Sequence, residues 1–216
     1  GTGFNVSGNY IGGNAALCAG TWTKTNARNN AFAAINLNVG TVASNSVQNN
    51  TIQNMAWSNS GAASWTGINI AAGDANIGTT GGNTIGSAAG TGSITVTAGA
   101  NNGNVYGIDI SSAGTIDCQN NKIGSITAAN SAGAASNIYG ISNTGIPITA
   151  IISNNTIGGA SAGSINASSG STANAQIVSG ISNSGTGPVT ISGNTIANLI
   201  NGTTNSTAAT AGRING

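Results

Sequence analysis

Charge is almost missing from this chain of 216 residues. Three aspartates (Asp74, Asp109, Asp117) stand against four cations (Lys24, Arg28, Lys122, Arg213), where an ordinary domain is about a quarter charged. Four cations cannot neutralise a phosphate track, so a nucleic-acid surface is excluded. Histidine is absent and the carboxylates are scattered, so the sequence offers no metal centre and calls for no cofactor. Disorder driven by charge repulsion is excluded as well. No run of about 18 apolar residues occurs, so no membrane insertion is expected. No cationic, apolar leader opens the chain, which places any secretion signal outside it.

Gly, Ala, Ser, Thr and Asn fill the places of the missing charges. So neutral a surface has little colloidal repulsion and associates easily, which suits a fibre, layer or matrix better than a freely diffusing enzyme.

The chain carries a repeat. Asn-x-Ile occurs at Asn9–Ile11, Asn50–Ile52, Asn83–Ile85, Asn121–Ile123, Asn155–Ile157 and Asn194–Ile196, at intervals of 41, 33, 38, 34 and 39 residues. Repetition at this period marks a solenoid. A second marker interleaves with it, an apolar residue, any residue, Gly and Ile. It stands at Trp65–Ile68, Val105–Ile108, Ile138–Ile141 and Val178–Ile181, with Phe32–Ile35 an alanine version. From this Gly (or Ala34) to the next Asn is 14 to 16 residues, whereas from Asn to the next Gly is 17 to 25. The variable half is expected to hold the loops, Gly158 to Ala175 among them. The Gly-marker intervals alternate 33, 40, 33, 40 and 36, so a longer loop returns every second coil.

The constant half reads as two short strands and a turn. Three residues before each Asn stand Val6, Val47, Thr80, Cys118, Ile152 and Ile191, and two after it the isoleucines. Short β-branched runs bounded by Gly, Asn and Ser signal strands, and no helical period survives the interruptions.

The run Val189–Ile196, with Asn154–Ile157 and Gly82–Ile85, resembles the repeats of right-handed parallel β-helices. The resemblance covers the whole chain. It implies an all-β right-handed parallel β-helix of about six coils, with long loops on one side. It also implies that each Asn sits in a tight corner, tolerating a left-handed backbone and bonding the same amide one coil away, while the following Ile stacks inward. The structural Asn ladder is therefore Asn9, Asn50, Asn83, Asn121, Asn155 and Asn194. The inward stack is Ile11, Ile52, Ile85, Ile123, Ile157 and Ile196. The repeat is longer than the family's usual coil, which leaves open an alternative of two shorter coils per repeat.

Residues 1–216 are read as one solenoid segment. Gly1 to Ile11 matches Gly185 to Ile196 to within one residue, so both ends are expected to fall in mid-repeat, as in a window of a longer tandem array or a subunit stacking end to end. Six coils at about 4.8 Å give a rod roughly 29 Å long.

Cys118 takes an inward position and reads as a small buried hydrophobe. Cys18 lies about three coils away, beyond disulfide reach, and is free to crosslink to a neighbour. Tyr106 and Tyr139 occupy equivalent outward positions in adjacent coils, where stacked rings form either a sugar-binding platform or a packing contact. Trp65 aligns with core positions, whereas Trp22 and Trp57 fall in loop halves and are candidate surface or glycan contacts.

These features point to a non-enzymatic structural protein. Large secreted bacterial surface adhesins and filament proteins are similar in style, which implies a rigid extracellular stalk, filament or adhesin repeat region at the cell surface. Its expected partners are copies of itself or flanking repeats end to end, and surface glycans. Ice binding through a threonine face is an alternative, although Thr21–Thr25 and Thr95–Thr97 do not recur in every coil. A polysaccharide-active β-helix enzyme is another; it needs two opposed carboxylates, and Asp109 and Asp117 are the only near pair.

Overall fold

In the computed structural model, which describes residues 1–99, 102–171, 173–207 and 211–216, the chain is a parallel β-solenoid with four short strands in each coil. Sheet I holds Asn5–Ser7, Asn45–Gln48, Ala75–Ile77, Thr115–Gln119, Thr149–Ser153 and Val189–Ser192. Sheet II holds Tyr10–Ile11, Thr51–Ile52, Thr84–Gly86, Lys122–Gly124, Thr156–Ile157 and Thr195–Ile196. Sheet III holds Trp22–Thr23, Met55–Ser58, Ile94–Ala98, Ile126–Asn130, Ile165–Ala167 and Leu199–Asn201. Sheet IV, with the longest strands, holds Phe32–Asn38, Trp65–Ala72, Gly103–Ile110, Ser136–Asn143, Ile177–Asn183 and Arg213–Asn215.

Each strand pairs in parallel with its counterpart one repeat away, so a repeat is one coil and the two-coil alternative is excluded. The extra length of each repeat is only partly loop. Gly158 to Ala175, expected to be irregular, contains the sheet III strand Ile165–Ala167. The longer connections flank sheet III. Between sheets II and III they alternate: residues 12–21, 87–93 and 158–164 are long, whereas 53–54, 125 and 197–198 are tight corners. The long connection of the third coil reaches over the fourth to that of the fifth, where Gly90 N–H donates to Ser161 Oγ at 3.1 Å. This is the structural form of the alternating interval in the sequence.

Sequence alternation sets the core. On sheet I, Val6, Val47, Ile77, Cys118, Ile152 and Ile191 pair in one inward column. Thr80, expected there in the third coil, is displaced by Ile77, because residues 78–80 are an insertion. Gly78 supplies the left-handed turn (φ +80°), and Gln48 Oε1 accepts from the N–H groups of Thr80 and Gly81. On sheet II, Ile52, Ile85, Ile123 and Ile157 are fully enclosed, with Ile11 and Ile196 half-buried at the two ends.

The two sequence markers meet inside. A Cβ placed on Gly140 would lie 2.6 Å from Cγ2 of Ile157 and 2.5 Å from the Gly180 carbonyl, and Gly67, Gly107 and Gly180 are equally tight against Ile85, Ile123 and Ile196. Sheet IV must therefore be bare at the point where the sheet II isoleucine arrives. Gly140→Ala is expected to cost about 2 kcal/mol by overpacking and Ile157→Ala about 3 kcal/mol by cavity formation. In urea unfolding the double variant should lose at least about 0.5 kcal/mol less than the sum, because the two changes share one contact.

Candidate functional site

Polar side chains at the corners carry the coil-to-coil bonding. The ladder asparagines from Asn50 to Asn194 each use Oδ1 as a double acceptor. Asn155 Oδ1 takes both the backbone N–H (2.9 Å) and an Nδ2–H (3.0 Å) of Asn121, and Asn121 Oδ1 does the same for Asn83 (3.1 and 2.8 Å). The pattern runs from Asn9 through Asn50 and on to Asn194. From Asn50 onwards each Nδ2 also donates backwards to a sheet I carbonyl of the previous coil, as from Asn50 to Val6 and from Asn155 to Cys118. Asn50, Asn83, Asn121 and Asn155 are buried and satisfied on both sides.

The left-handed backbone does not fall on the ladder residue, as expected from the sequence, but on the one before it. Gly8, Asn49, Asn120, Asn154 and Gly193 have φ between +54° and +68°. In these five coils that residue makes the turn and the ladder Asn does not take positive φ; in the third coil the left-handed turn falls at Gly78 instead.

A second polar ladder was not foreseen. Asn54 N–H donates to Ser93 Oγ (3.2 Å), Ser93 N–H to Ser125 Oγ (2.9 Å) and Ser125 N–H to Ser164 Oγ (2.9 Å). Its sequence signal is a Ser or Asn just before the first apolar residue of sheet III, as in Ser93-Ile94, Ser125-Ile126 and Ser164-Ile165. In a chain so rich in serine that pairing is inconspicuous.

Tyr106 and Tyr139 pair on the outer face of sheet IV with centroids 5.1 Å apart and planes 14° apart. One face of each ring is therefore spent on the other. Burial, the nearby Asp109 carboxylate and Tyr139 together push the Tyr106 phenol up to about 12, and burial raises Tyr139. Alongside runs the outward column Asn36, Asn69, Asp109, Ser142 and Ser182, in which Asn69 Nδ2 donates to Asn36 Oδ1 at 2.8 Å. Asp109 interrupts this amide column. Its Oδ1 is buried without a hydrogen-bond partner, and burial raises its carboxyl above the usual range despite bonds from Ser142 and Ile110. Asp117 faces outward on sheet I, so the two carboxylates stand on different sheets.

Trp22 and Trp57 both lie on sheet III strands rather than in loops, Trp57 half-buried against the core. Trp22, 41 % exposed, meets it edge-on at 6.1 Å, and Phe32 lies 4.6 Å from Trp57 and 5.8 Å from the enclosed Trp65. The indole N–H groups of Trp57 and Trp65 are buried without partners. Cys18 and Cys118 are both free and buried. Burial raises both thiols, Cys118 to about 12, so Cys18 is not presented for crosslinking. Among the described residues no three His, Cys, Asp or Glu lie together, and no helix is long and apolar enough to cross a membrane.

Two substitutions probe these columns. Asn121→Asp keeps the acceptor but sets a carboxylate against Asn155 Oδ1 and the Ile77 carbonyl, and should cost about 3 kcal/mol at neutral pH. The new carboxyl would titrate high in the fold, so stability should recover as pH falls through its folded pKa and the acid becomes a donor; chemical denaturation from pH 7 to 4 reads this. Asp109→Asn should act oppositely. The raised carboxyl withholds stability at pH values above its folded pKa, so an amide facing Asn69 should add about 1 kcal/mol at pH 7. That gain should shrink as acidification protonates the wild-type group. No family model, curated protein or solved structure matches this chain.

Proposed function

We propose that the chain is a non-enzymatic structural element, a rigid segment of an extracellular stalk, filament or adhesin. The observation that carries this reading is the asparagine ladder, unbroken through six coils. It invests buried hydrogen bonding in axial continuity, which is what a load-bearing rod requires. The second ladder and the stacked columns of all four sheets add to the same axis. A neutral outer surface suits packing into a layer or matrix. On this reading the partners are coils of the same pattern, in the same chain or in another copy, with surface glycans as attachment targets.

The reading is tested on the native polypeptide in its source cells. Antibody against the chain should label unpermeabilised cells, and the denatured polypeptide should migrate either near 20.6 kDa, as a stacking subunit, or far above it, as a tandem protein. Labelling confined to the cell interior would overturn the proposal.

One observation favours a second reading. The middle residues of the Asn-x-Ile triplets form an outward column on sheet II, with Thr51, Thr84, Thr156 and Thr195 in register and Tyr10 and Lys122 as exceptions. Threonine at coil spacing orders water in the manner an ice-binding face needs. Thermal hysteresis at millimolar protein would support ice binding, and its absence would remove it.

A further inference from the structure

The inward column of sheet III runs Trp57, Val96, Ala128, Ala167 and Asn201 through successive coils. In the first coil Lys24 N–H donates to the Ala56 carbonyl, which sets Lys24 beside Trp57 and at the head of that column. A lysine thus stands where the following coils place core. Its ammonium lies 5.1 Å from the centre of a Trp57 ring and donates to Ser58 O (2.7 Å), Asn59 Oδ1 (2.6 Å) and the Arg28 carbonyl. Asn59 Oδ1 also accepts from Asn30 N–H, and Trp22 lies edge-on to both Trp57 and Phe32. The 24–31 connection is thereby tied to residues 58–64 of the next coil. A coil stacked on this edge would have to bury an ammonium with no carboxylate beside it, at a cost of several kcal/mol. An inward lysine at a strand edge blocks further pairing.

The other end is built differently. Ile191 (48 % exposed), Ile196 and Ile181 line an open concavity of about 290 Å³ with Gly193, Asn194 and Gly216. Asn194 spends its Nδ2 on Ile152 O and its Oδ1 on Asn155, while its backbone N–H has no partner among the described residues. At the foot of the sheet III column stands Asn201, a neutral amide rather than an ammonium, bonded to Gln176 O and Arg213 O.

We infer that the solenoid is polar in its assembly. The Lys24 end is a cap that refuses a further coil, and the Asn194 end is a docking face for one more coil bearing Asn-x-Ile. The occupant is fixed by chemistry. Its asparagine Oδ1 would receive the Asn194 N–H and Nδ2–H, its Nδ2 would donate to the Ile191 carbonyl, and its isoleucine would cover Ile196. This goes beyond the proposed structural role and stands or falls separately: an intracellular location would overturn the stalk and leave the polarity untouched.

The register supplies the experiment. Asn215 pairs with Ser179, so Gly216 occupies the place of Gly180, and a second copy of Ile181–Gly216 appended after Gly216 continues in phase. Asn5 pairs with Ser46, so a second copy of Gly1–Thr41 placed before Gly1 is in phase at the other end. The C-terminal addition should raise Tm by about 5 °C. The N-terminal addition should leave Tm within about 1 °C while the receiving coil carries Lys24, and should raise it by about 5 °C, relative to Lys24→Met alone, once the receiving coil carries Lys24→Met. An equal rise with Lys24 in place would overturn the cap, and no rise on the C-terminal addition would overturn the docking face.

Discussion

The strand-to-strand hydrogen bonds of a parallel solenoid run along its axis, from one coil to the next. The chain must therefore solve a single problem at every corner: how to reverse direction while leaving no amide unpaired in a low-dielectric interior. Here the solution is a division of labour between two residues. One adopts the left-handed turn, and the next extends a carboxamide whose oxygen takes two donors from the neighbouring coil. Everything else is placed by that corner. The isoleucine two residues on is aimed inward because the ladder fixes the start of sheet II, and sheet IV carries glycine where that isoleucine lands. The near-constant distance between the two sequence markers is the length of chain needed to bring those two atoms together.

Interior volume is balanced across the coils rather than within each one. The first two coils contribute Phe32, Trp57 and Trp65, while the same columns hold Val96, Val105, Ala128 and Ala167 further along. The bulk thus lies in the first coils, and small residues follow where coils press on both sides. Polar positions obey the same logic. An amide can be stacked on an amide indefinitely, whereas the carboxylate of Asp109 and the ammonium of Lys24 each interrupt a column that would otherwise continue.

Much of this was legible in the sequence because a solenoid repeats its physics. Asn-x-Ile recurs since every coil needs the same corner, and the Gly marker recurs since Ile85, Ile123, Ile157 and Ile196 need the same gap, with Ala34 the small residue at the matching place in the first coil. The alternation of loop lengths was visible as well, and the structure places it at one edge, between sheets II and III. What escaped is instructive in each case. Sheet III was hidden because Ser-Ile and Asn-Leu pairs do not stand out in a chain of Ser, Asn and small residues. Counting back from Asn83 points to Thr80 as the core residue, and only the turn at Gly78 with its anchor on Gln48 reveals the insertion that makes it Ile77. Trp22 and Trp57 read as loop residues because the sheet III strands that carry them have no recognisable pattern. The tyrosine pair was placed in register, but register alone does not tell that the two rings spend a face on each other.

The ladder amides all point the same way, with N–H groups toward the higher-numbered coil and Oδ1 atoms toward the lower. Six carboxamide dipoles therefore add head to tail along one edge of a structure whose sheets have little net dipole of their own. Each bond polarises the next, so the column behaves as one electrical unit, with a partial positive pole at Asn194 and a partial negative pole at Asn9. A protein with almost no formal charge thus carries a directional field along its axis, set by neutral side chains alone.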